Sequence, residues 1–191
     1  MNLADRILLP TFGRPEGLPG RLGGIIMARV NRKFAQEIVA LLNVRASEKV
    51  LEVGFGPGVG IELLAAAAPL GQVAGIDPSR EMLVQARARN AAAISAGKVN
   101  LRQGTVENMP LEDDSFDTVL AINSMQVWPN RMAGLREIWR VLTVGGRVAL
   151  AFTPAARQPR AGITEMLASA SFDEPRLMEG RGGFCVLARK A

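Results

Sequence analysis

The stretch KVLEVGFGPGVG at residues 49–60 constrains this chain more than any other. A short apolar run, Lys49 to Val53, leads straight into Gly54, Gly56 and Gly58, and a helical pattern follows from about Val59 to Ala68. Glycines at a strand-to-helix junction allow a tight turn and let a ligand come close to the backbone. The rhythm then repeats. Gln72 to Ile76 reads as a second strand ending at Asp77, and Ser79 can cap a helix containing Met82, Leu83, Ala86 and Ala93. Val99 to Arg102 is a third short strand, Leu111 to Asp114 a polar turn, and Phe116 to Asn123 a fourth strand. Asn130 to Leu142 is a helix with Leu135, Ile138, Trp139 and Leu142 inward. Gly145 and Gly146 turn the chain into a fifth strand, Arg147 to Phe152. Strands alternating with helices predict a mostly parallel sheet covered on both faces. The end of the chain breaks the rhythm. After a short helix near Ile163 to Ser169, the apolar stretches Arg176–Met178 and Phe184–Ala188 are joined by Gly180 to Gly183, too few residues for a helix. They read as an antiparallel hairpin.

The 191 residues suit one domain, and 48% apolar residues exclude a disordered chain. That domain, 1–191, divides into an N-terminal loop and cover helix (1–46), a core (47–152), and a short helix with a terminal hairpin (153–191). Residues 10–24, rich in Gly and Pro, read as loop. From near Gly24 an apolar stripe runs through Ile25, Ile26, Val30, Phe34, Ile38 and Leu41, with Arg29, Arg32, Lys33 and Glu37 on the polar face. One cysteine, Cys185, forbids an internal disulfide or a cysteine zinc cluster, and no metal site is expected. The chain has no His and no Tyr, which removes His-Asp relays and phenolic acids. The apolar run at 60–69 is too short to span a bilayer and contains Glu62, and Met1 to Pro10 carries Asp5 and Arg6. A cytoplasmic protein with no transmembrane segment is the expectation.

Asp77 gives the glycine loop its meaning. An acid at the end of the second strand can accept both hydroxyls of a ribose, so the pair points to a nucleoside-containing ligand at the carboxyl ends of the strands. The spacing is GxGxG, with Val59 where a dinucleotide fingerprint continues. Glu52 just before the loop is a poor neighbour for a pyrophosphate and suits a cation or an ammonium group. A Walker-type phosphate loop is excluded, since no GK[ST] follows the glycines.

With these residues in place the chain resembles the class I S-adenosylmethionine-dependent methyltransferases. The likeness is greatest to the small-molecule branch that includes the ubiquinone/menaquinone methyltransferases (methyltransferase type 11). The stretches that carry it are VLEVGFGPGVG (50–60), VAGIDPSREMLVQAR (73–87), GTVENMPLEDDSFDTVLAINSMQVWPN (104–130) and LREIWRVLTVGGRVAL (135–150). The resemblance implies a Rossmann-like α/β fold: a seven-stranded, mostly parallel sheet of order 3-2-1-4-5-7-6, strand 7 antiparallel, helices on both faces. It implies S-adenosyl-L-methionine as cofactor. Glu52, Gly54, Phe55, Gly56 and Gly58 would wrap its methionine end, with Glu52 placed for the ammonium. Asp77 would hold the ribose hydroxyls, and Pro78 and Met82 would flank the adenine. Thr105, Val106 and Glu107 would close over the other adenine face. Relatives usually have Gly-Asp-Ala there; Thr105 stands in the place of that acid. Asn123 and Ser124 would line the cofactor and the transfer site.

Many relatives carry His after the fourth strand. Here the segment is Met125 to Pro129, in which Gln126 can orient a donor or acceptor but cannot take a proton. Gln126 and Trp128 are the candidates for positioning the acceptor, Trp128 being equally readable as a core residue. With no His or Tyr, any base is a carboxylate, a Lys or water; Glu16, Asp113 and Asp114 are the carboxylates to consider. The expected activity is methyl transfer to a small, apolar or aromatic acceptor, giving S-adenosylhomocysteine. Leu18, Leu22, Ile25, Ile26 and Met27 would help cover such a compound. An rRNA or tRNA methyltransferase is the alternative suggested by the net charge of +5 and by Arg21, Arg29, Arg32 and Lys33. A non-catalytic protein with this fold is another, and an NAD-dependent oxidoreductase is disfavoured by the loop spacing and Glu52. The apolar N-terminal helix leaves a homodimer open.

Overall fold

β1 (Lys49–Val53) is buried at every position after Lys49, the pattern of a parallel strand covered on both faces. In a computed structural model, which describes residues 32–180 and 182–191, it is an inner strand, the third of a seven-stranded sheet. It pairs in parallel with β2 (Gln72–Asp77) and with β4 (Phe116–Ile122). β3 (Val99–Gln103) continues in parallel beyond β2, and β5 (Leu142–Phe152) beyond β4. β7 (Gly183–Lys190) is antiparallel to β5, and β6 (Phe172–Gly180) is antiparallel to β7. The order is β3-β2-β1-β4-β5-β7-β6, the one the resemblance implied. The loop 10–24, the helix start near Gly24 and the residues named between Glu16 and Val30 lie outside the described residues.

Side-chain alternation along the strands feeds two cores. On one face Val50, Val73 and Leu120 meet Phe34 and Ile38 of α1 (32–42), Leu64 of α2 (Val59–Ala67) and Leu83 of α3 (Arg80–Arg89). After α3 comes the single turn α4 (Ala91–Ser95). On the other face Leu51, Val119 and Leu150 meet Leu135 and Ile138 of α5 (Arg131–Val141) and Ile163 of α6 (Ile163–Ser169). Each of these buried aliphatic side chains is worth about 1.5–3 kcal/mol. The Ser79 cap read from sequence is present, and Asn130 caps α5 in the same way. Ser79 Oγ accepts from Met82 N–H at 3.3 Å and Asn130 Oδ1 from Ala133 N–H at 3.0 Å. No helix among the described residues is long and apolar enough to cross a membrane.

Four details differ from the sequence reading. The helix after Ser79 breaks at Asn90 into α3 and α4. In α1 the inward residue is Leu42, and Leu41 is exposed. Trp139 is only half-buried, with its indole N–H donating to Ser171 O at 2.9 Å and Lys190 Nζ 4.0 Å above its ring. Gly145 and Gly146 lie within β5, where they form a bulge. Register runs Phe116↔Leu142, then resumes at Thr118↔Arg147.

The amino-terminal edge of the sheet is tied by a buried acid. Glu48, 2% exposed, accepts three bonds from Arg147, the shortest at 2.8 Å to Oε2, one from Arg45 at 2.7 Å and one from Thr118 Oγ1 at 2.9 Å. Arg147 also donates to the carbonyls of Leu42 and Asn43, which pins the end of α1 to the sheet. Burial alone would raise the carboxyl pKa; the bonds from Arg147, Arg45 and Thr118 outweigh it and hold the group below its ordinary value. Its contribution to stability is therefore complete above the unfolded value of about 4.3 and is lost as pH falls through the lower folded value. Arg147→Met should cost about 3 kcal/mol in denaturant unfolding at neutral pH, since it leaves a buried charge under-compensated. A loss within about 0.5 kcal/mol would remove this ion pair from the interactions that hold α1.

Candidate functional site

The three glycines of the loop after β1 have different reasons to be glycine. A side chain at Gly54 would collide with that of Ser124, which follows β4. A Cβ at Gly58 would lie 2.7 Å from that of Ala86 on α3, and its φ of 81° is left-handed. The close packing of the chain itself explains both. Gly56, with φ of 51°, has nothing within 4 Å of where a Cβ would stand. Only there does the loop turn a bare backbone toward open space, which makes Gly56 the point of close approach for a ligand.

Two buried acids flank this point. Glu52 is 3% exposed; the Ile61 N–H in the first turn of α2 donates to its carboxylate, while Oε2 has no partner. A side chain at Gly60 would collide with that carboxylate. Burial raises the Glu52 pKa well above its ordinary value, the charge of Asp77 raises it further, and the Ile61 bond offsets a part. Asp77, 6% exposed, accepts Gly56 N–H at 2.8 Å through Oδ2 and Ser79 N–H at 2.9 Å through Oδ1. Its pKa is raised by burial, and those two N–H groups hold the rise down. Each oxygen keeps a second lone pair for a hydroxyl donor.

The remaining sequence candidates fall around these two. Phe55 is buried against Gly75 in the core, and Met82 is buried beneath the start of α3. Pro78 is exposed, its carbonyl accepting from Gln103 Nε2 at 3.0 Å. Thr105 is exposed, Val106 is buried, and Glu107 accepts the Asn130 N–H at 3.2 Å at the start of α5. Asn123, at φ 50°, turns its side chain to Thr153, whose N–H it accepts at 2.8 Å, so it clamps the ends of β4 and β5 together. Ser124 Oγ accepts the Trp128 indole N–H at 2.8 Å. Trp128 is 9% exposed and packed against Val106 and Gly134, which places it in the core under α5. Gln126 donates from Nε2 to Asn123 O at 2.7 Å, and its Oε1 is buried without a partner. Asp113 and Asp114 sit at the opposite edge of the sheet, just before β4. They are paired with Arg140 at 2.6 Å and Lys190 at 2.7 Å, away from any transfer chemistry. The Cys185 thiol is buried and pushed up to about 12. A separate cleft of about 420 Å³ lies between β1–β3 and the connection into β4, beside Lys49, Asn100 and Arg102, and none of the cofactor candidates lines it.

Two residues that the sequence reading missed hold the loop from behind. Asn90, 4% exposed, donates to Gly58 O at 3.1 Å and to Ala86 O at 2.9 Å. Arg89 donates to Pro57 O at 2.9 Å and lies 3.6 Å from Glu62, which also takes a bidentate pair from Arg32. The available signal was Asn90 itself, a poor helix former inside an otherwise helical run.

Residues 51–150 match the family model described as a methyltransferase domain. An uncharacterized methyltransferase of Bacillus subtilis, YdaC, is 32% identical over 133 residues, 70% of this chain and 71% of that protein. The ubiquinone/menaquinone biosynthesis C-methyltransferase UbiE of Geotalea daltonii is 30% identical over 130 residues, 68% of this chain and 55% of that protein. The crystal structure of an S-adenosylmethionine-dependent methyltransferase from Aquifex aeolicus superposes with a TM-score of 0.74 at 20% identity. The match covers 82% of this chain and 89% of that one, a likeness of fold.

If α3 sets the loop, Asn90→Ala should weaken S-adenosylmethionine binding about 5- to 10-fold through two lost hydrogen bonds, read by calorimetric titration of the folded variant. Unchanged affinity would mean that the loop keeps its shape without Asn90.

Proposed function

The chain belongs to the methyltransferase-domain family, and from that premise we propose that it transfers a methyl group from S-adenosylmethionine to a small, apolar or aromatic acceptor. The observation that carries the proposal is the unpaired Oε2 of buried Glu52, next to the one bare glycine of the loop and to Asp77. A buried carboxyl oxygen without a partner is costly, and its ionised form is favoured only when a cation meets it; the donor's ammonium fits. Bound there, S-adenosylmethionine supplies an electrophilic methyl group on a sulfonium. In this reading Glu52 takes the ammonium and Asp77 the ribose hydroxyls. Gly54, Gly56 and Gly58 shape the backbone between them. Pro78 and Met82 border one side of the adenine and Thr105, Val106 and Glu107 the other. Asn123 and Ser124 carry the β4 side.

Among the described residues, none is assigned as a base. The chain has no His or Tyr, and Asp113 and Asp114 are engaged at the far edge. The protein's part is then to align the acceptor and exclude water, which suits acceptors that are nucleophilic or acidic in themselves, such as phenols, enols or amines. The names of the quinone-pathway relatives support an apolar, ring-bearing acceptor.

Calorimetry should show saturable binding of S-adenosylmethionine and none of NAD. Asp77→Ala should weaken that binding about 10- to 30-fold through lost charged hydrogen bonds; unchanged affinity would take the ribose away from Asp77. Affinity should also fall as pH is lowered toward the ordinary carboxylate range, beginning above it. Burial raises the Glu52 pKa, so acidification neutralises it earlier than an ordinary carboxylate near 4.3 and removes the partner of the ammonium. Glu52→Gln should bind weakly with a shallower pH profile, since Asp77 still titrates, and an equally steep profile in that variant would assign the titration to another group. Tight binding with no S-adenosylhomocysteine formed from any phenol, enol or amine offered would select the non-catalytic alternative.

A further inference from the structure

We propose that Gln126 and Gln158 together form the subsite that recognises the acceptor, and that they select a molecule presenting an N–H or O–H donor. The inference rests on the methyl-transfer reading and concerns the acceptor side of the same site.

Both carboxamides are half-used in the same way. Gln126 Nε2 donates to Asn123 O at 2.7 Å, and Gln158 Nε2 donates to Pro159 O at 3.0 Å. A backbone carbonyl can accept only from the amide NH₂, so each bond fixes which way its side chain is flipped. In both cases the carbonyl oxygen, Oε1, is left buried with no partner. Gln158 is only 9% exposed. Buried carbonyl oxygens are normally satisfied, and leaving one dry costs free energy.

Their positions in the fold bring them to one edge. Gln126 sits in the single turn Met125–Val127 after β4, and Gln158 follows the turn Pro154–Ala156 after β5. β4 and β5 are neighbours in register as far as Ile122↔Ala151. Beyond that the chains stay joined, since Asn123 N–H donates to Ala151 O at 2.9 Å and Thr153 N–H to Asn123 Oδ1 at 2.8 Å. Ser124, two residues before Gln126, touches Gly54 of the glycine loop. The two loops therefore leave the sheet side by side, on the edge that carries Glu52 and Asp77.

Two acceptor-only atoms read a donor hydrogen. A phenol, enol or amine offers one. Its fully methylated counterpart, an ether or a tertiary amine, does not, and would leave the two oxygens dry again. The subsite thus distinguishes an acceptor from its own methylated product, holding the first and releasing the second. A thiolate, which has no hydrogen to give, is not selected.

The test is equilibrium binding of matched probes to the protein saturated with S-adenosylhomocysteine, read by calorimetry and by the side-chain amide NMR signals of Gln126 and Gln158. Phenol should bind at least about 10-fold more tightly than anisole, and aniline more tightly than N,N-dimethylaniline, by about one charge-free hydrogen bond. Gln126→Met and Gln158→Met, which keep side-chain length without the carbonyl, should each shrink that ratio while S-adenosylhomocysteine affinity stays as in the parent. Gln126→Leu and Gln158→Leu serve where a Met variant does not fold. Equal binding of phenol and anisole, no binding of either, or a ratio that survives in the folded variants overturns the inference. Failure of the parent protein to bind S-adenosylhomocysteine would instead overturn the methyltransferase reading on which it rests.

Discussion

One carboxylate joins the two strand ends on which the site is built. Asp77, at the end of β2, takes Gly56 N–H from the loop after β1 and Ser79 N–H from the entry to α3. Ser79 in turn caps α3 through Met82 N–H. One helical length later the same helix comes back to the loop: Ala86 presses on Gly58, Asn90 holds Gly58 O, and Arg89 holds Pro57 O. The circuit closes through backbone groups, which have little freedom left to lose when a ligand arrives. A loop held in this way needs little ordering to receive a ligand, which lowers the entropic cost of binding.

Asp77 also explains why Glu52 suits a cation. The two acids are buried in the same region, and each has its pKa raised chiefly by burial; the charge of Asp77 adds to the effect at Glu52. Such a pair repels a pyrophosphate and attracts an ammonium group. The choice between a dinucleotide and an aminoacyl-bearing nucleoside is thus made by electrostatics, before any contact to the base is considered. Thr105, uncharged and exposed, adds no charge of its own to the Glu52 and Asp77 end.

The strands were readable because parallel strands buried on both faces are short apolar runs, and β1, β2 and β4 are such runs with turn residues at their ends. The hairpin of β6 and β7 was readable by elimination, since four residues cannot hold a helix. What periodicity could not show was what each polar or small residue touches. Three glycines looked alike in the sequence, yet Gly54 answers to Ser124, Gly58 to Ala86, and Gly56 to empty space. Asn90, which the sequence reading passed over inside a helical run, is a buried clamp. Gly145 and Gly146 carried the right turn chemistry, but it is used to bulge a strand that had already begun at Leu142. In each case the missing information is the identity of a partner distant in sequence, which a local pattern does not contain.

The two edges of the sheet treat buried polar groups in opposite ways. At the amino edge Glu48 is as deeply buried as Glu52, but Arg147, Arg45 and Thr118 bond both its oxygens. At the carboxyl edge Glu52 Oε2 has no partner, nor do the carbonyl oxygens of Gln126 and Gln158. The other buried side-chain atom without a partner among the described residues, Gln85 Nε2 on α3, has no explanation in the structure. A fold that can satisfy a buried carboxylate completely at one end is under no physical compulsion to leave acceptors dry at the other. A partner arriving from outside is the completion proposed for Glu52, Gln126 and Gln158. The anionic one calls for a cation and the two neutral ones for a hydrogen-bond donor, the two kinds of group that a sulfonium cofactor with its ammonium and an unmethylated acceptor bring together.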